Sequence, residues 1–244
     1  MKCLFLAAGY ATRLYPLTEN FPKPLLQVQG KTILDWLVDD IDGLQVVDEY
    51  IVVSNSKFAA HFSAWAATKP QKITVVDDGT SSNETRLGAV RDIQFAIDKL
   101  KIDDDLIVLA GDNLLDFSLK KFIAYAKSKG ATCIMRYFEP KVERLKKSGV
   151  AEVDEDGLVL RLSEKPIEPA SNWACPPFYF YKQADVPLVK KGIEAGCGVD
   201  APGSFIAWLA TQVRVYAMEM PGKRYDIGNL QSYELVQKEY KGIC

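Results

Sequence analysis

Along the first half of the chain, short apolar runs alternate with longer amphipathic stretches. Cys3 to Ala7, Tyr50 to Val53, Ile73 to Val76 and Leu106 to Ala110 are continuous apolar runs, most of them rich in β-branched residues, as in strands buried on both faces. A helical pattern separates each run from the next, which predicts parallel strands joined by crossover helices. The clearest helix follows Thr32, because Thr32 and Asp35 have capping-box spacing and Ile33, Leu37 and Ile41 repeat on one face. A second apolar stripe runs through Leu87, Val90, Ile93, Ile97 and Leu100.

After about residue 131 the periodicity shortens. Thr132 to Tyr137, Val150 to Val153, Leu158 to Leu162 and Phe178 to Tyr181 read as strands, with Asp154 to Gly157 as a turn between two of them. The Pro- and Gly-containing stretch Gly196 to Gly203 leads to an apolar helix around Phe205 to Leu209, a strand at Val213 to Met218 and a last helix after Gly228. The expected fold is therefore α/β: a Rossmann-like mixed, mainly parallel sheet flanked by helices, with a small α+β part in the C-terminal half. One domain over residues 1–244 is expected, with halves at about 1–130 and 131–244.

Composition narrows the class. With 244 residues, 48% of them hydrophobic, the chain can bury a full core. Thirty basic against 32 acidic residues and a pI near 5.6 supply no global positive field, so nucleic acid is not an expected partner. Cys3, Cys133, Cys175, Cys197 and Cys244 form an odd set without a CxxC pair, which suggests neither a disulfide framework nor a zinc knuckle and fits a cytoplasmic location. The apolar start, Met1 to Gly9, is too short to span a bilayer and reads as a buried first strand, so no membrane partner is expected. Nothing in the sequence fixes the oligomeric state; a homo-oligomer is compatible with it.

The strongest chemical signal is the opening loop, Leu6-Ala-Ala-Gly-Tyr-Ala-Thr-Arg-Leu-Tyr-Pro-Leu-Thr18, followed by Pro22-Lys23-Pro24-Leu25. Small residues directly after a strand let backbone N–H groups approach an anion. Arg13 adds a planar fork of donors for phosphate oxygens, and Lys23, held between two prolines, adds a point charge. Leu106 to Ala110 then runs into Gly111-Asp112-Asn113, placing a carboxylate where ligands bind in open α/β sheets. Tyr225-Asp226-Ile227-Gly228 offers a second carboxylate, and two carboxylates can hold Mg2+, which keeps waters and substrate phosphates as its other ligands. His61, the only histidine, lies on an apparent helix face and reads as structural, which leaves no triad-type relay.

The opening segment resembles the signature of the sugar-1-phosphate nucleotidyltransferase family, LxGGxGTRLxPLT followed by PKPL, and is similar to its glucose-1-phosphate thymidylyltransferase-like members with a GT-A-like Rossmann fold. Ala8 and Ala11 replace two of the glycines, so a position there that needs positive φ would be strained. The resemblance implies that Ala8 and Gly9 lie under the base, Thr12 and Arg13 hold the triphosphate, Lys23 bridges the reacting phosphates, and Asp112 and Asp226 ligate Mg2+. Gly88 falls near the family's base-contacting glycine, with Asn83 and Arg86 as further nucleotide-binding candidates. Ser148-Gly149-Val150-Ala151 and Glu164-Lys165-Pro166 are similar to the family's YGV and EEKP elements, which implies acceptor contacts from Gly149, Glu164 and Lys165, together with Asn113. Cys175 to Tyr181 matches the family only loosely, and a packed aromatic strand explains it at least as well.

By this resemblance the first half binds nucleotide and the second the acceptor. The implied reaction is transfer of a nucleoside monophosphate from an NTP (CTP, UTP or dTTP) to a phosphorylated small molecule, a sugar 1-phosphate foremost, with release of pyrophosphate. Three other readings stand beside it. A CTP-dependent cytidylyltransferase acting on phosphocholine or another non-sugar phosphate shares the loop. A regulatory subunit would bind nucleotide-sugar without turnover, but Arg13, Lys23, Asp112 and Asp226 are all present. A dinucleotide-dependent dehydrogenase is disfavoured, since GxGxxG is absent and no acidic residue ends the strand at Ile51 to Ser54.

Overall fold

The computed structural model describes residues Met1 to Ile243, and these fall into two compact units. The first comprises residues 1–86, 110–120 and 221–243; the second comprises 87–109 and 121–220.

In the first unit, strands Lys2–Leu6, Glu49–Ser54 and Ile73–Asp77 pair in parallel, in register Cys3↔Tyr50 and Tyr50↔Ile73. Cys3, Leu4 and Phe5 and the apolar residues of Glu49–Ser54 are buried, while in the outer strand Ile73–Asp77 only Val76 is, and the parallel order is the one the alternating pattern predicts. Helix Ile33–Asp42 begins with the expected capping box: Thr32 Oγ1 accepts from Asp35 N–H at 3.0 Å, and Asp35 accepts in return from Thr32 N–H at 3.1 Å. Ile33, Leu34, Leu37, Val38 and Ile41 form its buried stripe. Helix Ala59–Ala66 carries His61, whose ring meets Phe21 and Phe58 edge-on.

Two small antiparallel pairs, too short to show a period in the sequence, complete this unit. Gln27–Val28 pairs with Lys31–Thr32, and Asn113–Leu115 pairs with Arg224–Asp226. The second pair joins chain segments more than a hundred positions apart. It is fixed by an apolar cluster of Leu14, Leu26, Val28, Ile33, Leu114, Ile227, Val236 and Tyr240, the last two supplied by or next to helix Leu230–Glu239.

The second unit is mostly antiparallel. Leu106–Ala110 pairs with Phe178–Tyr181, which pairs with Thr132–Phe138; Trp173–Cys175, Gly149–Val153 and Val159–Glu164 follow in antiparallel steps. Strand Val215–Glu219 returns parallel to Thr132–Phe138. Short links such as the turn at Asp154 to Gly157 permit only antiparallel neighbours. That turn closes on itself, with Asp154 Oδ1 accepting from the N–H groups of Asp156 and Leu158. Strand Trp173–Cys175 and helix Leu188–Glu194 were not expected from the sequence; both are short and lack a distinctive period. Cys3, Cys133 and Cys175 are buried thiols, and Cys197 is half-buried; Cys244 lies outside the described residues. Among the described residues, no helix is long and apolar enough to cross a membrane.

Candidate active site

The opening loop leaves strand Lys2–Leu6 tethered to its neighbour. Ala7 N–H donates to the Val53 carbonyl, and Asn55 Nδ2 donates to the Ala8 carbonyl, both at 2.9 Å. Gly9 is exposed, and a Cβ there would meet nothing within 4 Å, so its backbone faces open space. Ala11 has φ 47° and ψ 40°, the left-handed region that costs an L-residue about 1–2 kcal/mol. Its carbonyl is pinned by Thr18 Oγ1 at 2.8 Å and by Leu14 N–H at 2.9 Å. The strain expected of alanine in a glycine position is thus present. A short turn, Thr12–Leu14, follows, with Leu14 anchored in the apolar cluster while Thr12 and Arg13 stay exposed. Arg13 lies against Gly228: one of its terminal nitrogens would be 4.0 Å from a Cβ built there.

Lys23 opens a second short turn, Lys23–Leu25, and is buried. Its Nζ donates to Asp112 Oδ2 at 2.8 Å. Asp112 follows Gly111, whose N–H donates to the Leu6 carbonyl at the end of the first strand. The second carboxylate oxygen accepts from Asn113 Nδ2 at 2.7 Å, and Asn113 Oδ1 accepts from Arg224 at 2.6 Å. Arg224 also lies 3.9 Å from Asp226 Oδ2, and Asp226 sits opposite Asn113 in the strand pair. The result is one charged chain, Lys23–Asp112–Asn113–Arg224–Asp226. Burial pushes the Asp112 carboxyl up, but Lys23 and then Arg224 outweigh it and hold it below the ordinary carboxylate range. Asp112 is therefore an anion at neutral pH.

This donor set fits a hard divalent cation. The side chains of Asp112 and Asp226 remain 39% and 58% exposed, and each carboxylate keeps lone pairs beyond those already used. Among the described residues no group of three His, Cys, Asp or Glu could enclose a metal. Two carboxylates with the remaining positions left to water and phosphate is the coordination Mg2+ favours.

In the second unit, Glu164 ends strand Val159–Glu164 opposite Gly149. A Cβ at Gly149 would lie 3.1 Å from Glu164 Oε2, and one at Gly203 would collide with the same oxygen. The carboxylate thus rests in a cradle that two glycines make room for, with the Tyr179 hydroxyl beside Gly203. Burial pushes Glu164 above the usual carboxylate range, and Lys165 only partly opposes the rise. Lys165 is exposed and, like Ala11, holds a left-handed backbone, with φ 49°.

A family model described as nucleotidyl transferase matches residues 2–242. The chain belongs to the nucleotidyl transferase family. It is 30% identical to the mannose-1-phosphate guanylyltransferase catalytic subunit beta of Drosophila pseudoobscura pseudoobscura, the match covering 95% of this chain and 60% of that one. It is 25% identical to the UTP–glucose-1-phosphate uridylyltransferase of Synechocystis, covering 96% and 61%. The chain thus spans about three fifths of the length of these curated relatives. A crystal structure of UDP-glucose pyrophosphorylase complexed with UDP-glucose superposes with a TM-score of 0.83 at 21% identity, covering 98% of this chain and 97% of that one. That likeness carries the fold, a mixed α/β sheet flanked by helices.

Within this nucleotidyl transferase, the first unit holds Ala8, Gly9, Thr12, Arg13, Lys23, Asp112, Asn113 and Asp226, while Gly149, Glu164 and Lys165 belong to the second. Asn83 and Arg86 form an exposed turn in which Arg86 donates to the Asn83 carbonyl at 3.1 Å. Gly88, in the second unit, has φ 91°, and a Cβ there would press on the Val199 carbonyl, so packing by itself demands glycine. Asn113, an acceptor candidate by resemblance, is buried, its Nδ2 donating to Asp112 and its Oδ1 accepting from Arg224. Tyr179 stacks on Tyr181 in the core, as a packed aromatic strand requires. Arg224 and Gly203 were not singled out in the sequence. For Arg224 the signal was there: two positions before Asp226 in a strand, it shares that carboxylate's face.

Proposed function

We propose that this chain transfers a nucleoside monophosphate from an NTP to a sugar 1-phosphate, releasing pyrophosphate and forming a nucleotide-sugar. The observation that carries the reading is the Lys23–Asp112 ion pair at 2.8 Å, set beside the loop that ends the first strand and linked through Asn113 and Arg224 to Asp226. An acceptor phosphate is already an anion, so the reaction needs alignment and charge neutralisation more than a general base. The chain's single histidine, packed between two phenylalanines, is consistent with that economy.

Asp112 and Asp226 are the residues that would hold Mg2+, which when bound neutralises phosphate charge. The open backbone at Gly9 admits the nucleotide, and Arg13, exposed and without an ion-pair partner among the described residues, draws charge onto departing pyrophosphate. Lys23 stabilises the crowded α-phosphate while keeping Asp112 ionised. Glu164 accepts from acceptor hydroxyls, and Lys165 pairs with the acceptor phosphate. The relatives named above differ in base, guanine in one and uracil in the other, so the nucleotide is assigned by experiment.

The test is pyrophosphate release across CTP, UTP, dTTP, GTP and ATP against glucose, mannose and N-acetylglucosamine 1-phosphates and phosphocholine. Turnover with one sugar 1-phosphate and Mg2+, falling by about a hundredfold or more in Lys23→Ala, is expected. Turnover restricted to phosphocholine, or unchanged in Lys23→Ala, would overturn it.

A further inference from the structure

Among the described residues, Arg136 is a guanidinium without an ion-pair partner. It lies in strand Thr132–Phe138 and is only half-buried, yet its Nε is sealed from solvent with no hydrogen-bond partner. Its Cζ sits 4.2 Å from the centre of the Trp173 ring, a cation–π contact that holds the guanidinium over the indole. Across the ladder its strand neighbour is Glu219, and the two form no ion pair. An arginine cannot shed its charge, so a sheltered one without a counter-ion is costly unless an anion arrives.

The sheet register shows what it faces. Glu164 is opposite Gly149, Gly149 is opposite Cys175, and one step beyond the Ala174↔Tyr137 pair puts Cys175 opposite Arg136. Opposed residues share a face, so Glu164 and Arg136 stand at the two ends of a row floored by Gly149 and Cys175. Three strand spacings of about 4.8 Å separate their Cα atoms by about 14 Å. Both charges reach the same sulfur. Burial pushes the Cys175 thiol up to about 12, Glu164 adds to the rise, and Arg136 opposes it.

We infer that Arg136, stacked on Trp173, is an anion-binding residue of the acceptor site, and that the acceptor carries a carboxylate or a second phosphate besides the phosphate that reacts. The inference rests on the transferase reading and narrows its substrate class. Glu164 takes the hydroxyls of a ring lying over Gly149 and Cys175, and Arg136 takes the charged substituent at the far side through a two-pronged contact.

The experiment compares kcat/KM for glucose 1-phosphate, glucuronic acid 1-phosphate and glucose 1,6-bisphosphate, for wild type, Arg136→Gln, Arg136→Lys and Trp173→Leu. One anionic acceptor is expected to exceed the neutral one at least tenfold in wild type, the uronate if a carboxylate is recognised and the bisphosphate if a phosphate is. That ratio should collapse towards one in Arg136→Gln, chiefly through KM, with partial retention in Arg136→Lys and Trp173→Leu. Equal ratios in wild type and Arg136→Gln, with both proteins folded by circular dichroism, would overturn the inference and leave the transferase reading intact. No pyrophosphate from any acceptor would refute that reading instead. Calorimetric titration of the two anionic acceptors then decides on Arg136: binding lost in Arg136→Gln supports its role, and binding absent or unchanged removes it.

Discussion

Asp112 and Glu164 are both sheltered carboxylates, one in each unit, and their surroundings push them in opposite directions. Asp112 has Lys23 in contact and Arg224 one residue away, so its ionised form prevails over the cost of burial. Glu164 has glycines on two sides and only the exposed Lys165 to favour its charge, so burial wins. The difference teaches what each is built to receive. On the proposed function, Asp112, balanced by cations and still part-exposed, takes a further cation, and Glu164, short of donors, takes hydrogen bonds from acceptor hydroxyls.

The largest test of that contrast is Asp112→Asn, expected to lower pyrophosphate release by about 10³-fold while circular dichroism stays unchanged. A drop below tenfold would remove Asp112 from the chemistry. Next is Gly203→Ala, which drives a methyl group into the Glu164 carboxylate. It should raise the acceptor KM about tenfold or more and cost about 1–3 kcal/mol of stability, with nucleotide binding retained. An unaltered acceptor KM would detach Glu164 from the acceptor.

Ala11→Gly reports on the loop itself. Relief of the left-handed alanine should stabilise the fold by about 1 kcal/mol, or roughly 2–4 °C in Tm by calorimetry. A lowered Tm would mean that the chain entropy gained by glycine when unfolded outweighs the strain. The smallest effects are in pH dependence and have opposite signs. Asp112, with its folded pKa below the unfolded one, contributes stability above about pH 3.9 that is lost as pH falls through the folded value. Glu164, with its folded pKa raised, contributes stability below about pH 4.3 that is lost as pH rises through the folded value. Glu164→Gln should therefore raise Tm at pH 8 and change it little at pH 4. Asp112→Asn should lower Tm at pH 7, with the penalty shrinking towards pH 3. The same sign for both substitutions at neutral pH would undo the contrast.

What could be read in the sequence was whatever is local. The Thr32–Asp35 cap, the Ile33 stripe and the buried parallel strands follow from spacing alone, and the strained Ala11 from a small residue standing where glycine is usual. The pairing of Asn113–Leu115 with Arg224–Asp226 was not legible, because three-residue strands carry no period and their partner is set by Leu114, Ile227 and Tyr240 packing together. That pairing delivers Arg224 to Asn113 and so turns two separate aspartates into one network. Gly203 read as a loop glycine; its role appears only once Glu164 is folded against it.

On the proposed function, this network and the opening loop together bind a magnesium nucleotide. Isothermal titration of each magnesium NTP into wild type and Asp112→Asn tests it directly. Saturable heat with at least one nucleotide, dependent on Mg2+ and abolished in Asp112→Asn, is the predicted result. No heat from any of the five nucleotides, or binding identical in the two proteins, would contradict it.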